Sequence, residues 1–201
     1  MVAPELKLAG RDEARSAAVP RGAGVRFQPL PPELSHRMSL CSDADTARGM
    51  FFNGVLQVVK SACGEDARNR CLLATGEDSF VDVFMYPVKS FLPMAWAAVR
   101  ELGVAEADGL RRLGRQSAAD FFSSMSGKTL IALAGQNPRR LAGTIPAAYK
   151  AAVSYGDRQI TWTGDRACKL VVKRDFMPHP YHEGVVAAAL EAMGGKSVKV
   201  V

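Results

Sequence analysis

The sequence lacks any long run of apolar residues, although apolar residues occupy 48% of its 201 positions. A helix that crosses a bilayer needs about 20 consecutive, mainly apolar residues, so no transmembrane segment is predicted. The first 24 residues also lack the apolar core of a signal peptide, because Asp12, Glu13 and two prolines interrupt them. We therefore predict a soluble, cytoplasmic protein.

Cysteine and histidine are scarce, which limits metal and redox chemistry. No two of the four cysteines are separated by the two to four residues that are typical of a zinc site, so free thiols are predicted. His179 and His182 lie close together, but the sequence names no third ligand. Helix start, capping and surface polarity are the ordinary roles for such a pair, and no metal site is predicted.

No complete catalytic or nucleotide-binding motif occurs. Residues 126–129, Ser-Gly-Lys-Thr, are similar to the end of a phosphate-binding loop. However, Phe122 stands where that pattern needs glycine, and a predicted helix precedes it instead of a strand. A nucleophile elbow of the Gly-x-Ser-x-Gly type is absent as well. No catalytic residue is therefore predicted.

The formal net charge of +6 raises the question of a nucleic-acid partner. The basic residues are scattered in small clusters, and none of these clusters interleaves with aromatic residues or follows a zinc-finger pattern. We therefore predict a solvated basic surface. Nucleic-acid binding is not favoured but stays an alternative, as does an acidic protein or a membrane surface.

Apolar spacing predicts helices through most of the chain. Residues 1–24 show little periodicity and are predicted to be a disordered arm, whereas residues 25–201 are predicted to form one domain. In the first strong helix, Ser42 or Asp43 is the expected N-cap and Gly64 the expected stop. Further helices are predicted over residues 65–74, 87–103, 105–124, 129–134 and 145–153.

The periodicity then becomes strand-like. Residues 159–163 and 167–173 flank a Gly-Asp turn and predict a β-hairpin. A helix over residues 181–193 follows, and Val198, Val200 and Val201 suit a last strand. This order predicts an α+β fold in which a helical layer packs on a small antiparallel sheet.

Several stretches resemble a paralogous family of uncharacterised myxobacterial proteins, the DUF2378 family. They are residues 49–56, 86–92, 110–115, 138–141, 148–149, 154–156 and 180–185, and the resemblance covers roughly residues 45 to 200. The residues that carry the motif are Tyr86, Pro87, Tyr155, Gly156, Tyr181, His182, Glu183 and Gly184. The family brings no established activity with it.

A Tyr-Pro-started helix, a Leu-Arg-Arg-Leu-Gly helix and a late helix before a Val-rich strand are also similar to a wider superfamily. It contains haem nitric-oxide-binding (H-NOX) domains, vinyl-reductase-type (4VR) domains and TRAPP Bet3-like subunits. The resemblance implies an H-NOX/Bet3-like α+β architecture that binds a hydrophobic ligand between its layers or a protein partner. Residues 141–149 hold no histidine and residues 155–158 do not supply a Tyr-x-Ser-x-Arg clamp, so sensor-type haem binding is not predicted.

We therefore predict a non-catalytic, regulatory or scaffolding module with a hydrophobic pocket between helices and sheet. The candidate lining residues are Phe51, Val55, Phe91, Trp96, Phe121 and Trp162. An alternative is an enzyme or accessory factor that acts on a tetrapyrrole-like ring, with His182, Glu183 or Cys168 as proton donor.

A homodimer is predicted on three grounds. The Val-rich last strand would leave an open edge. The helices over residues 87–103 and 105–124 carry large apolar residues, such as Met94 and Phe121, in excess of what one face buries. Bet3-like members of the resembled superfamily associate through their helical faces.

Overall fold

Eight helices and two short antiparallel sheets make up the part of the chain that the computed structural model describes, residues 31–135, 137–192 and 194–201. The helices are α1 (Pro32–Leu40), α2 (Gly49–Cys63), α3 (Glu65–Leu73), α4 (Val88–Leu102), α5 (Glu106–Ser123), α6 (Met125–Ala134), α7 (Pro138–Ala152) and α8 (His179–Ala192). The strands are β1 (Thr46–Arg48), β2 (Met85–Pro87), β3 (Asp157–Gly164) and β4 (Ala167–Lys173). The α+β class predicted from the sequence is confirmed, and the predicted arm of residues 1–24 lies outside the described residues.

The first long helix begins later than its sequence suggested. Strand β1 occupies residues 46–48, and α2 starts at Gly49. The residue before α2 is Arg48, so the predicted N-cap at Ser42 or Asp43 is wrong. Asp45 accepts hydrogen bonds from the backbone N–H and hydroxyl of Ser42 and pairs with Arg174. A further helix, α1, was missed. Pro32 stands at its first position, where a proline costs no hydrogen bond.

The central helices α2, α4 and α5 form where apolar residues recur at helical spacing in the sequence, and these residues face inward. The buried face of α2 includes Phe52 and Val55, and that of α4 includes Leu92 and Met94. Pro93 lies inside α4 without ending it, and Gly103 closes the helix in the left-handed conformation, with φ at 64°. These stripes meet in one apolar core.

Helices α5 and α8 approach unusually closely, because each presents a glycine at the crossing. A β-carbon added at Gly114 would lie 2.0 Å from the carbonyl oxygen of Tyr181. One added at Gly184 would lie 2.1 Å from the carbonyl oxygen of Arg111. Backbone therefore packs on backbone at this crossing, and larger side chains are excluded from it.

The hairpin forms as predicted, but the last strand does not. β3 pairs with β4 in antiparallel register, with Ile160 opposite Leu170. After α8 the chain turns at Gly194, where φ is 78°, and residues 196–199 line a groove beside Trp162 without strand structure. The prediction of a strand at Val198 and beyond is therefore wrong, because the turn leads the chain into this groove rather than alongside a strand.

Strands β1 and β2 tie the N-terminal half to the end of α7. β1 pairs with β2, and Ala47 also bridges to Val153. The hydroxyl of Ser154 accepts a hydrogen bond from the backbone N–H of Thr46 at 2.8 Å. Among the described residues, no helix is both long and apolar enough to cross a membrane.

Candidate functional site: an apolar cavity with a polar wall

An apolar cavity of about 90 Å³ lies between α5, α7 and α8, with α2 and α4 behind it. Aromatic and aliphatic side chains make up most of its wall, and several alanines on α5, α7 and α8 leave the space open. The lining includes Phe51, Phe91, Ala118, Phe121, Leu141, Ile145, Ala148, Ala152, Val185 and Ala189. The cavity is bordered mainly by helices, and Ala47 of β1 is the one residue of a named strand that lines it.

Part of the wall is polar and is built from one connected group of side chains. His182 on α8 stands between Tyr149 of α7 and Asp175, which follows the hairpin. Its Nδ1 lies 2.8 Å from the Tyr149 hydroxyl, and its Nε2 lies 3.0 Å from Asp175 Oδ1. Asp175 also accepts a hydrogen bond from the backbone N–H of Met177.

Arg158 completes this group from behind the cavity. Its side chain is 3% exposed and pairs with Asp175, whose side chain is 8% exposed. The guanidinium also donates to the carbonyl oxygens of Tyr155 and Gly156 and lies 4.6 Å from the centre of the Tyr149 ring. A buried cation is thus held beside a buried anion, which is the arrangement that offsets the cost of removing each from water.

The charges in this group fix the direction of the hydrogen bonds. Burial opposes ionisation of Asp175, but the hydrogen bond from His182 and the charges of His182 and Arg158 lower its pKa to about 2. The carboxylate can only accept, so Nε2–H of His182 donates to it. Burial, and then the charge of Asp175, raise the pKa of Tyr149 well above its usual value. The phenol therefore keeps its proton and donates it to Nδ1 when the imidazole is neutral.

A second polar pair lies on the same wall. The hydroxyl of Tyr181 on α8 donates to the hydroxyl of Ser117 on α5 at 2.7 Å. Ser117 is 5% exposed and Tyr181 is 7% exposed, and both residues line the cavity. Burial raises the pKa of Tyr181, so this phenol also stays protonated.

The structure brings three of the six candidate lining residues to the cavity. Phe51, Phe91 and Phe121 line it. Val55 is fully buried in the core of α2, away from the cavity, and Trp96 is half-buried on α4. Trp162 lies on β3 with the Arg139 guanidinium 4.2 Å from its ring centre, in the groove beside residues 196–199. No residue of the hairpin strands β3 and β4 lines the cavity, so the predicted position of the pocket between helices and hairpin is not the position of this cavity.

The motif residues of the resembled family occupy structurally demanding positions. The Tyr86 hydroxyl accepts from the backbone N–H of Val81, and Pro87 precedes the first turn of α4. Tyr155 packs on Phe176 with ring centres 4.8 Å apart. Gly156 adopts a φ of 70°, where a side chain would be strained. Tyr181 and His182 reach the cavity, and Gly184 lies at the helix crossing.

The three residues suggested as proton donors do not form one site. Glu183 pairs with Arg111 and lies 3.0 Å from His179, rather than lining the cavity. Cys168 is exposed on β4 and lines the separate groove beside Trp162. Among the described residues, no group of three or more His, Cys, Asp and Glu side chains is arranged to hold a metal ion.

Sequence reasoning missed Tyr149, Asp175, Arg158 and Ser117. One signal was available for two of them. Arg158 is the second residue of β3 and precedes the predicted strand by one residue, and Asp175 is the second residue after β4. Extending the predicted hairpin by two residues at its open end would have brought their backbones together. Ser117 gave no such signal, and Tyr149 stood out only as part of the family-resembling stretch 148–149, because their partners come from helices that are distant in sequence.

Residues 41–201 match the model of a family described as "Protein of unknown function (DUF2378)". The chain belongs to the DUF2378 family. The resemblance inferred from the motif residues is thereby confirmed. No curated protein matches the chain.

Solved structures similar to this DUF2378 protein include H-NOX proteins. The Fe(II) unliganded H-NOX protein from K. algicida has 14% sequence identity and a TM-score of 0.56. An alanine-to-glycine mutant of that protein has 15% identity and a TM-score of 0.58. Each match covers 73% of this chain and 83% of the other. At this level of identity the likeness shows the fold alone, and it confirms an H-NOX-like α+β architecture.

Proposed function

We propose that this DUF2378 protein is a non-catalytic, regulatory module that binds a small hydrophobic molecule in the cavity between α5, α7 and α8. The observation that carries the proposal is the cavity itself. Well-packed cores hold few voids larger than a water molecule, so an open apolar space bordered by alanines favours a guest. The H-NOX-like fold supports the same function, since its relatives are expected to hold ligands between their elements.

The cavity volume limits the size of this ligand. At about 90 Å³ it is smaller than the roughly 150 Å³ of an engineered apolar cavity that accepts benzene or xenon. It is also well below the roughly 300–1,000 Å³ of pockets that take drug-sized molecules. The ligand proposed here is therefore no larger than a single small ring of about five or six non-hydrogen atoms.

The resemblance to nitric-oxide sensors suggests haem as a ligand, but a haem does not fit this cavity. The cavity is far smaller than a ring of that size requires. His182 is the one histidine that lines it, and both of its ring nitrogens already have partners. Arg158 is committed to Asp175 and to two carbonyl oxygens, so it is not free to bind a propionate. We expect a haem titration to leave the visible spectrum equal to that of free haem.

The hydroxyl–imidazole–carboxylate order of Tyr149, His182 and Asp175 is similar to that of a nucleophilic triad. An activated nucleophile needs a lowered pKa or easy loss of its proton, whereas burial raises the pKa of Tyr149. The group therefore supports a structural and ligand-facing role better than a catalytic one. Nucleic-acid binding is not favoured either, because Arg111, Arg115 and Arg174 from the basic clusters each pair with a carboxylate.

A cavity-filling variant tests the proposed function. Ala148 lines the cavity on α7, and the adjacent Ala147 is exposed on the same helix. We expect Ala148→Leu to fill the space and to abolish the NMR shift changes and thermal stabilisation that cyclopentane produces in the wild type. Ala147→Leu is the matched control and should bind cyclopentane like the wild type. A wild-type protein that does not bind cyclopentane, or an Ala148→Leu variant that still does, would contradict the proposal.

A further inference from the structure

A second concave surface, separate from the cavity, lies where the start of α7, the hairpin turn and the chain after α8 meet. Its volume is about 510 Å³, within the roughly 300–1,000 Å³ range of pockets that take small organic molecules. Four basic side chains line this surface, hereafter the basic groove: Arg139, Arg166, Lys196 and Lys199. Asp165 is the one acidic residue among the described residues that line it.

The chain does not neutralise the four basic side chains of the groove. All four are exposed, and none of them forms an ion pair in the part of the chain that the structure describes. Elsewhere on the surface, Arg111, Arg115 and Arg174 each pair with a carboxylate. Positive charges that line a concave surface repel one another and raise the local concentration of anions. The basic groove therefore favours an anion from outside the chain.

Arg139 is held in place while some of its donors stay available. Its guanidinium lies 4.2 Å from the centre of the Trp162 ring, and its Nη1 donates to the backbone carbonyl oxygen of Asp165 at 2.8 Å. Within the described residues, its Nη2 and Nε have no acceptor. A guanidinium that is fixed in this way loses little conformational freedom when its other nitrogens bind a phosphate or a carboxylate.

Apolar side chains lie beside the basic ones. Trp162, Leu190 and Val198 line the same groove, and each is half-buried, so part of each side chain stays open to a ligand. An inorganic anion alone leaves these surfaces uncovered. A ligand with a planar ring covers them, because tryptophan offers a large flat surface for ring contacts.

We propose that the basic groove binds a small organic phosphate that carries a planar ring, a molecule of the nucleoside diphosphate class. The phosphate oxygens pair with Arg139, Arg166 and the two lysines, and the ring contacts Trp162. A terminal phosphate carries about 1.5 to 2 negative charges at pH 7, which suits several cations beside a single carboxylate. This site is separate from the proposed function, since no described residue lines both the groove and the cavity.

Three probes separate the charge of the ligand from its ring. ADP has both features, adenosine lacks the phosphates and pyrophosphate lacks the ring. Calorimetry in buffer without magnesium or inorganic phosphate, at about 0.05 M salt, keeps the screening of charges weak. We expect ADP to bind about tenfold more tightly than either of the other probes. No binding of ADP, or equal binding of ADP and one of the other two, overturns the proposal.

A pair of double variants tests the lysines. We expect Lys196→Gln/Lys199→Gln to bind ADP about fivefold more weakly than the wild type, because two ion pairs are lost. Lys169→Gln/Lys173→Gln is the matched control: it removes the same charge from exposed positions on β4 that do not line the groove. This control should bind ADP within about twofold of the wild type. Equal losses in the two variants would show an effect of net charge alone and overturn the proposal.

The cysteines report where ADP binds. Cys168 is exposed and lines the groove, whereas Cys63 is exposed on α2 and does not. ADP should slow the alkylation of Cys168 by iodoacetamide, measured by mass spectrometry of peptides, and leave that of Cys63 unchanged. Equal alkylation of Cys168 with and without ADP overturns the proposal.

Two further comparisons identify the class of ligand and the independence of the site. A single-stranded oligonucleotide or a glutamate-rich peptide that binds the groove more tightly than ADP overturns the assignment to a small ligand. Ala148→Leu, which fills the separate cavity, should bind ADP like the wild type. Loss of ADP binding in that variant would show that the two sites are not separate and would overturn the proposal.

Discussion

Asp175 connects the hairpin, α7 and α8 at the level of a single side chain. It pairs with the buried Arg158, accepts from His182 and, through His182, fixes the hydroxyl of Tyr149. An isolated charge in this position would be costly, because neither Asp175 nor Arg158 has access to much water. The pair is therefore the residue-level feature on which the geometry of the cavity wall depends.

Replacing Asp175 should expose this dependence. We expect Asp175→Asn to lower the free energy of unfolding by about 3–5 kcal/mol, because it leaves the Arg158 charge buried without an anionic partner. Urea denaturation measures the change. Asp157→Asn, at an exposed position two residues after Tyr155, is the matched control and should change stability by less than about 0.5 kcal/mol. Similar losses in the two variants would contradict this account of the pair.

Acid should weaken the fold through two carboxylates. The hydrogen bond from Arg174 lowers the pKa of Asp45 to about 2, and the pKa of Asp175 is also lowered to about 2. A carboxyl whose pKa is lower in the folded state adds stability above its unfolded pKa, and this stability is lost as the pH falls. We therefore expect the urea midpoint to drop as the pH falls from about 4 to about 2.

The Asp45→Asn variant separates the two contributions. It should be less stable than the wild type near pH 5. The difference in the free energy of unfolding between the two proteins should become smaller as the pH approaches 2. The Asp43→Asn variant controls for the loss of a surface carboxylate, since the Asp43 side chain is 88% exposed. A stability gap for Asp45→Asn that is constant with pH would rule out its titration as the cause.

At the residue scale, the sequence predicted contacts that follow from local spacing. Phe51, Phe91 and Phe121 belong to apolar stripes at helical intervals, so their inward direction could be inferred. The contact of Ser117 with Tyr181 could not be inferred, because serine is common in helices and the two residues are 64 positions apart. Such pairs depend on how helices cross, and a periodicity does not contain this information.

Among the helices, the crossing of α5 and α8 positions both polar parts of the wall. α5 contributes Ser117, and α8 contributes Tyr181 and His182. The glycines at the crossing let the two backbones approach, so the side chains of α8 are held at a short, fixed distance from α5. A wider crossing would separate Ser117 from Tyr181.

A helical glycine at a close backbone contact and one beside open space should respond to substitution by alanine in opposite ways. At Gly114 the added β-carbon meets a backbone carbonyl oxygen at 2.0 Å, so Gly114→Ala should cost about 1–3 kcal/mol of stability. At Gly143 on α7 nothing lies within 4 Å, and Gly143→Ala should stabilise by about 0.5–1 kcal/mol. Thermal and urea unfolding measure both changes. Stabilisation by Gly114→Ala would show that the crossing tolerates a larger residue.

Helices and strands were predicted correctly where the spacing of apolar residues agreed with the residues that end such elements. Gly64 and Gly103 end α2 and α4 as expected, and the hairpin follows its alternating pattern. It failed at α1, at the start of α2, where β1 forms instead of helix, and at the last strand. A strand needs a partner edge as well as β-branched residues, and the turn at Gly194 takes residues 196–199 into a groove instead.

For the whole molecule, the structure removes two grounds for the predicted homodimer. The last strand, with its open edge, does not form. Met94 and Phe121 are buried within one chain, so they do not leave surplus apolar surface on α4 and α5. A different apolar surface is present: residues 81–85, hereafter the apolar turn, include Val83, which is 66% exposed, and Phe84, which is 60% exposed.

The apolar turn is held rigidly, which suits it to association. Its carbonyl oxygens at Asp82 and Phe84 accept hydrogen bonds from the first two N–H groups of α2, at 3.2 Å and 2.8 Å. The side chain of Asn53 donates to Asp82 at 2.7 Å. Little conformational entropy is therefore lost when the exposed side chains are covered, and two-fold pairing of identical patches is the commonest way to cover them.

The homodimer prediction thus rests on the apolar turn, and light scattering coupled to size exclusion tests it. We expect the wild type to show twice the 21.6 kDa mass of one chain at micromolar concentrations. The Val83→Asp/Phe84→Asp variant should elute at the monomer mass, because two buried carboxylates would face their own copies across a two-fold axis. Met125→Asp, at a side chain that is 81% exposed on α6, is the control and should leave the dimer intact. A monomeric wild type would refute the dimer, and a dimer that survives the double variant would place its interface elsewhere.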